Sequence, residues 1–274
     1  MDKLARLTRD SAFSYICNRC MSCCRDNHIS LDPYEIIRLA RNRNLSTTDF
    51  IGRFLVKGGF VISIKEDRAC AFLGNSSCEV YHDRPMVCRT YPLRRSARSG
   101  REEFLKLIPL QETKGEYGEN GTVGNFLKAH DIDPFVAADD KYFALTNQII
   151  EGLGKIIRSV PTLFRPIRET MTLYYELHAG DVAKLIDVDR IVGGYCRDRG
   201  RALPASLDGL ITLHIEAIEQ RLEALLQAVS DREVDAKRDE ILQMAALAGA
   251  LGVATAAHIK SMLAAAVLGK PPVA

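Results

Sequence analysis

The sequence predicts an α+β fold, predominantly helical, in two parts: a small cysteine-rich module with short strands at residues 1–135 and a C-terminal helical region at residues 136–274. Three observations carry this expectation. Seven of the eight cysteines lie between positions 17 and 88. The same part of the chain alternates helix-start signals with β-branched and aromatic runs, which is the mixture expected of short helices and strands. From Asp139 onward apolar residues recur at helical spacing with little interruption, so a boundary is expected near Asp131 to Asp139.

Taken in order, Leu31-Asp32-Pro33-Tyr34-Glu35-Ile36 carries a full helix start: Asp32 as cap, Pro33 at the first helical position, Glu35 reaching back and Leu31 facing Ile36 as a staple. The helix should run from Pro33 to about Asn42. Ser46 caps a second helix, in which Phe50, Ile51, Phe54 and Leu55 follow at helical spacing until Gly58-Gly59 ends it. Phe60 to Lys65 and Phe104 to Leu110 are rich in β-branched and aromatic residues and are expected to pair as short strands flanking the second group of cysteines. Gly115 to Gly121 reads as a polar glycine-rich loop, and Thr122 as the cap of a short helix through Phe126, Leu127 and Ala129. Further on, Ile211, Ile215, Ile218, Leu222, Leu225, Leu226 and Val229 form one apolar stripe, with Glu216, Glu219, Gln220 and Glu223 on the other face, a pattern suited to packing within the chain. Met244 to Ala257 holds no charge. It is too short to span a bilayer and is followed by His258 and Lys260, so it reads as a buried helix of small residues.

The charge balance excludes several function classes. With 37 basic and 35 acidic side chains the formal charge is +2, which implies no broad polyanion partner. Arg89, Arg94, Arg95, Arg98 and Arg101 gather basic charge, but no aromatic platform accompanies them and Glu102 and Glu103 follow at once. That argues against nucleic acid, and no segment calls for a membrane. The opening Met-Asp-Lys-Leu-Ala-Arg-Leu-Thr-Arg-Asp lacks the apolar stretch of a secretory signal, so the expected location is the reducing cytoplasm. A chain with 47% hydrophobic residues can build an ordinary core without a disulfide framework, and reduced cysteines are then available as metal ligands.

Cys17, Cys20, Cys23 and Cys24 place four thiols in eight residues, and Cys70, Cys78 and Cys88 can close the site from afar. Cys-x2-Cys-x2-Cys is the triplet spacing of bacterial ferredoxins, in which a distant cysteine near a proline completes or serves an iron-sulfur cluster; Cys88-Arg-Thr-Tyr-Pro92 offers one. The spacing leans toward an iron-sulfur cluster of the 4Fe-4S type and leaves zinc open. The radical-SAM spacing Cys-x3-Cys-x2-Cys is absent, because the position it would need is Asn27. Seven thiols exceed the four that one centre requires. Adjacent side chains generally point apart, so one of Cys23 and Cys24 is expected to ligate while the other lines the core or meets a second ion. His82 reads as a solvent-facing loop residue and Cys196 as a buried packing residue.

Around these thiols the chain reads Cys70-Ala-Phe-Leu, then Cys78-Glu-Val-Tyr-His-Asp-Arg84-Pro85-Met-Val-Cys88-Arg89-Thr-Tyr91-Pro92. Together with Cys-x2-Cys-x2-Cys-Cys, these motifs resemble the bacterial YkgJ-type cysteine-cluster family, a zinc- or iron-chelating group distantly related to flagellin lysine methylase. The resemblance covers roughly residues 17 to 130, including Thr122-Val123-Gly124 and Phe126-Leu127. It implies metal binding by the cysteines. Many relatives carry a further cysteine before the glycine-rich loop, where this chain has Gln111-Glu-Thr-Lys-Gly115, which favours one complete site with spare thiols. Four thiolates around zinc or an oxidised cube leave a charge near minus two, so Arg84 and Arg89 are candidates to surround the centre and offset it, with Tyr91 beside them. Three uses stay open at this level. They are a metal centre for electron transfer, sensing or cluster handling; a structural zinc module with a protein partner; and an enzyme acting on protein lysines, for which Gly115-Glu-Tyr-Gly-Glu-Asn-Gly supplies no dinucleotide-binding context.

Overall fold

A computed structural model describes residues 6–56, 58–98, 101–107, 113–173, 179–231, 233–252, 263, 265, 267 and 268. The chain begins with β1 (Arg6–Leu7), β2 (Ala12–Ile16), α1 (Pro33–Asn42), α2 (Thr47–Phe54), β3 (Leu55–Val56), β4 (Val61–Ile62), α3 (Met86–Thr90), β5 (Leu93–Arg98), β6 (Arg101–Lys106) and β7 (Glu116–Thr122). It continues with α4 (Val123–Ala129), α5 (Asp133–Ser159), α6 (Phe164–Thr172), α7 (Ala179–Ile186), α8 (Val188–Arg199), α9 (Leu207–Ser230) and α10 (Arg238–Leu251). The fold is α+β and predominantly helical, with short antiparallel strands. Among the described residues no helix is long and apolar enough to cross a membrane.

The described residues fall into two compact units, one within 1–31 and 62–137, the other within 32–61 and 138–273. Helices α1 and α2, which the sequence reading places in the cysteine module, thus group with the helical unit.

In the first unit, β1, β6 and β5 form an antiparallel sheet in that order, and β2 pairs with β7. Alternation puts Leu93 and Arg95 of β5 on one face with Phe104 and Glu102 of β6: Leu93 and Phe104 are buried there, and beside them Arg95 and Glu102 pair at 2.7 Å while Arg9 joins the same carboxylate at 2.5 Å. Part of the basic cluster is therefore neutralised within the sheet. On β2, Phe13 and Tyr15 point inward; Phe13 meets the Phe126 ring edge-on at 5.1 Å, and Tyr15 meets Tyr117 at the same distance. The expected pairing of Phe60–Lys65 with Phe104–Leu110 does not form. Phe104 lies on β6, which pairs with β5, its neighbour in sequence, and is flanked on its other edge by β1, while β4 pairs with β3, also its neighbour in sequence. Local hairpins close short loops and win over the distant alternative. Residues 108–110 of that expectation lie outside the described residues.

In the second unit the expected helix starts are in place. Asp32 and Glu35 form a reciprocal capping box ahead of Pro33, and the Ser46 side chain accepts from the Asp49 amide. Asp187 caps α8, accepting from the Arg190 amide at 3.2 Å, and also takes the hydroxyls of Thr47 and Thr48, both at 2.6 Å. Asp189 accepts from the Thr47 amide at 2.8 Å and pairs with Arg41 at 3.0 Å. Two carboxylates thus serve the N-termini of α2 and α8 together, which ties α2 to the helical unit. The α9 stripe is buried at Ile211, Ile218, Leu222, Leu225 and Val229. In α10, Met244 to Ala248 are buried, and a Cβ on Gly249 would lie 2.2 Å from the Met171 carbonyl oxygen, so only glycine permits this approach of α6. Residues 253–257, the end of the expected small-residue helix, lie outside the described residues.

His214 is buried between Tyr142 and the Leu185 carbonyl. That carbonyl can only accept, so Nε2 donates to it at 2.8 Å and Nδ1 accepts from the Tyr142 hydroxyl at 2.9 Å. Burial pushes its pKa down from 6.5 to about 4. Between these values the unfolded chain binds the extra proton and the folded chain does not, so stability should fall by roughly 3 kcal/mol as pH drops through that window. His214→Gln should flatten this part of a pH series of urea midpoints. Asp187→Ala removes a helix cap and strands the buried Thr47 hydroxyl along with that of the exposed Thr48, and should lower unfolding free energy by about 3 kcal/mol in urea titrations.

Candidate metal centre

Cys17 follows β2 directly and is exposed, as is Ile16 at 61%. The next residues coil tightly, because Arg19, Met21 and Asp26 all take left-handed φ values of 50°, 63° and 58°. Non-glycine residues in this region each carry strain of order 1 kcal/mol or more, and such strain gathers where a ligand loop is held in one shape. Met21 opens a 3-10 turn at Ser22–Cys24, closed by the Cys24 amide on the Met21 carbonyl at 3.0 Å.

Backbone pairing then joins this loop to the second cysteine group. Arg25 and Ala69 form a bridge, the Asp26 amide donates to the Arg68 carbonyl at 3.0 Å, and the Cys70 amide donates to the Cys24 carbonyl at 2.8 Å. Arg25 with Asp67 and Arg68 with Asp26 pair outside it. Cys70 and Cys78 stand on a folded-back segment in which Leu73 bridges Cys78 and the Glu79 amide reaches the Phe72 carbonyl at 2.9 Å. Cys88 sits on α3.

The electrostatics give the grouping. Cys24 is pushed up first by its hydrogen bond with Cys23, then by burial and by the nearby Cys23, Cys88 and Cys78. Cys70 is pushed up by burial and by Cys78, and Cys23 bears on Cys20. Six thiols from three separate stretches therefore share one region. The hydrogen bond between Cys23 and Cys24 corrects the expectation that these neighbours point apart: the 3-10 turn brings both sulfurs to one side, and the bond lowers Cys23 to about 7. The Cys20 sulfur accepts from the Lys114 amide at 3.4 Å and from the amide of Ser22, which lowers its pKa; the Cys70 sulfur accepts from the amide of Phe72. An amide two residues ahead of a cysteine, aimed at its sulfur, favours the thiolate form that a metal needs.

All eight cysteines are present as thiols. Among the described residues no three Cys, His, Asp or Glu side chains are already arranged around one metal position. The donor set nevertheless fits a thiophilic metal. Crowded, half-buried thiols raise one another's pKa, and a cation relieves that mutual repulsion.

Arg89 is buried and acts as a brace. It donates to the carbonyls of Arg84 at 2.9 Å, His130 at 2.8 Å and His82, and stacks 4.3 Å over the Phe135 ring. Arg84 donates to the Tyr81 carbonyl at 2.8 Å and lies 3.9 Å over the Tyr81 ring. Tyr91 packs edge-on to Tyr15 at 6.0 Å, with its hydroxyl 3.4 Å from that of Thr113. His82 is exposed and edge-on to Tyr81. Cys196 is buried in the helical unit, with its sulfur 3.8 Å from the Ala202 carbonyl.

Sequence reasoning missed three contributors. Arg19 lies 4.8 Å over the Tyr81 ring and links the first loop to the segment before Cys88. Asn27 donates to the Cys23 carbonyl at 2.9 Å. Lys114 acts through its backbone, which no side-chain signal could reveal.

Residues 16–112 match the CxxCxxCC family model, described as "Putative zinc- or iron-chelating domain". No curated protein and no solved structure matches the chain, so the distant methylase relation gains no support there. The CxxCxxCC segment takes in all seven clustered cysteines together with Arg84, Arg89 and Tyr91. It ends at Glu112, which with Gln111 lies outside the described residues, just before the Lys114 amide that meets Cys20.

Gly115 bears on that amide. A Cβ there would fall 1.9 Å from the Tyr15 hydroxyl oxygen, so Gly115→Ala must displace the ring or the loop. The expected cost is about 2 kcal/mol of unfolding free energy in urea. Gly52→Ala, where a Cβ meets nothing within 4 Å, should be neutral or gain up to about 1 kcal/mol.

Proposed function

We propose that the first unit is a thiolate metal centre holding an iron-sulfur cluster, of the 4Fe-4S type, in a redox, sensing or cluster-handling role. What supports this is the electrostatic linkage running from Cys20, Cys23 and Cys24 to Cys78, Cys88 and Cys70, together with the backbone pairing of Cys70 with Cys24 and the amides aimed at two of the sulfurs. Cys20, one or both of Cys23 and Cys24, Cys70, Cys78 and Cys88 would hold the group, with Cys17 at its exposed margin. A bound cluster would supply one-electron chemistry. The chain's own contribution is to position the sulfurs, to keep Cys23, Cys24 and Cys70 half-buried, and to brace α3 through Arg89. The triplet spacing supports the cluster over other groups.

The second reading is structural zinc. The amide turns at Cys20 and Cys70 favour it, because sulfurs that accept from backbone amides suit the thiolate ligands of a tetrahedral ion. Iron, acid-labile sulfide and zinc measured per chain after anaerobic purification separate the readings: matched iron and sulfide with broad visible absorption supports the cluster, and stoichiometric zinc in a colourless sample supports the structural ion. In either case Cys20→Ser should weaken metal affinity by about tenfold or more, and Cys196→Ser should leave it unchanged. Equal metal retention in wild type and Cys20→Ser would remove Cys20 from the ligand set.

A further inference from the structure

We infer that Cys88 is the exchangeable edge of this centre, the ligand that yields to a cysteine thiol of a metal acceptor while the deeper thiols keep hold. This rests on the metal-binding reading above.

The seven clustered cysteines differ in exposure. Cys20, Cys23, Cys24, Cys70 and Cys78 are partly buried, whereas Cys17 and Cys88 are exposed. Of these two, Cys88 is electrically joined to Cys24 at the centre. Cys17 bears on the Tyr15 hydroxyl, as Cys23 does. The exposure of Cys88 does not arise from a loose backbone. Its amide donates to the Pro85 carbonyl at 3.0 Å, the Thr90 hydroxyl donates to the Met86 carbonyl at 3.0 Å, and the next residue, Arg89, clamps the carbonyls of His82, Arg84 and His130. Val87 beside it is 44% exposed, which leaves an apolar contact next to the sulfur for an approaching chain. An exposed thiol on a braced helix, within electrostatic reach of the partly buried Cys24, is placed for an incoming ligand to reach it first.

The exchange is balanced without a redox partner. The incoming thiol loses its proton and forms a metal–sulfur bond, the bond from the metal to Cys88 breaks, and the Cys88 thiolate takes up a proton. The metal keeps its oxidation state and its number of sulfur ligands. A thiol is the required class of partner because harder oxygen donors compete poorly for a thiolate-bound ion.

The test uses the full chain loaded with zinc and treated with N-ethylmaleimide, with modified sites read by mass spectrometry and released zinc read by a chelating dye. Cys88 should be modified about tenfold faster than Cys23, Cys24, Cys70 and Cys78, with zinc leaving in step with that modification, and excess glutathione should draw zinc out at a rate that rises with its concentration. Protection of Cys88 as strong as that of Cys70, or modification of Cys88 with zinc retained, would overturn the inference. If zinc protects none of the clustered cysteines, it is the metal-binding reading itself that fails. Cys196, buried in the helical unit, serves as the unreactive internal control.

Discussion

The cysteine unit depends on one short stretch of backbone pairing, in which the Cys70 amide meets the Cys24 carbonyl and the Asp26 amide meets the Arg68 carbonyl. Two helices and a hairpin separate these stretches in sequence, and without the pairing the first four thiols would remain a local loop with nothing to close it. Once it forms, the folded-back segment from Cys70 to Cys78 follows, and a 3-10 turn at Tyr81–Asp83 leads from it to α3 and Cys88. The left-handed residues at 19, 21 and 26 are the local cost of bending the first loop to meet it.

Charge is handled in two ways around this pairing. Arg25 and Arg68 sit on its outside and are matched by Asp67 and Asp26. Arg89 is buried and spends donors on backbone carbonyls, which fixes the helix that carries Cys88.

The helical unit uses carboxylates where the cysteine unit uses arginines. Asp187 and Asp189 satisfy the first amides of α2 and α8 together with the hydroxyls of Thr47 and Thr48. Two helix N-termini that meet would leave several donors without acceptors, and shared acidic side chains answer that need. This draws residues 32–61 into the helical unit although they lie between the two cysteine groups in sequence.

What the sequence by itself determined is the set of features that act over a few residues. The caps at Asp32, Ser46 and Thr122, the buried stripe of α9 and the gathering of thiols in one part of the chain all follow from cap chemistry, helical period and short loop closure. Only the tertiary structure decided which distant partners meet: β6 with β1 and β5, Arg19 over Tyr81, Gly115 against Tyr15, and Cys23 turned to the same side as Cys24. Those outcomes depend on competition between alternative long-range contacts and on the shape of a strained turn. Residue identity and spacing do not encode these one position at a time; they are settled when the whole unit packs.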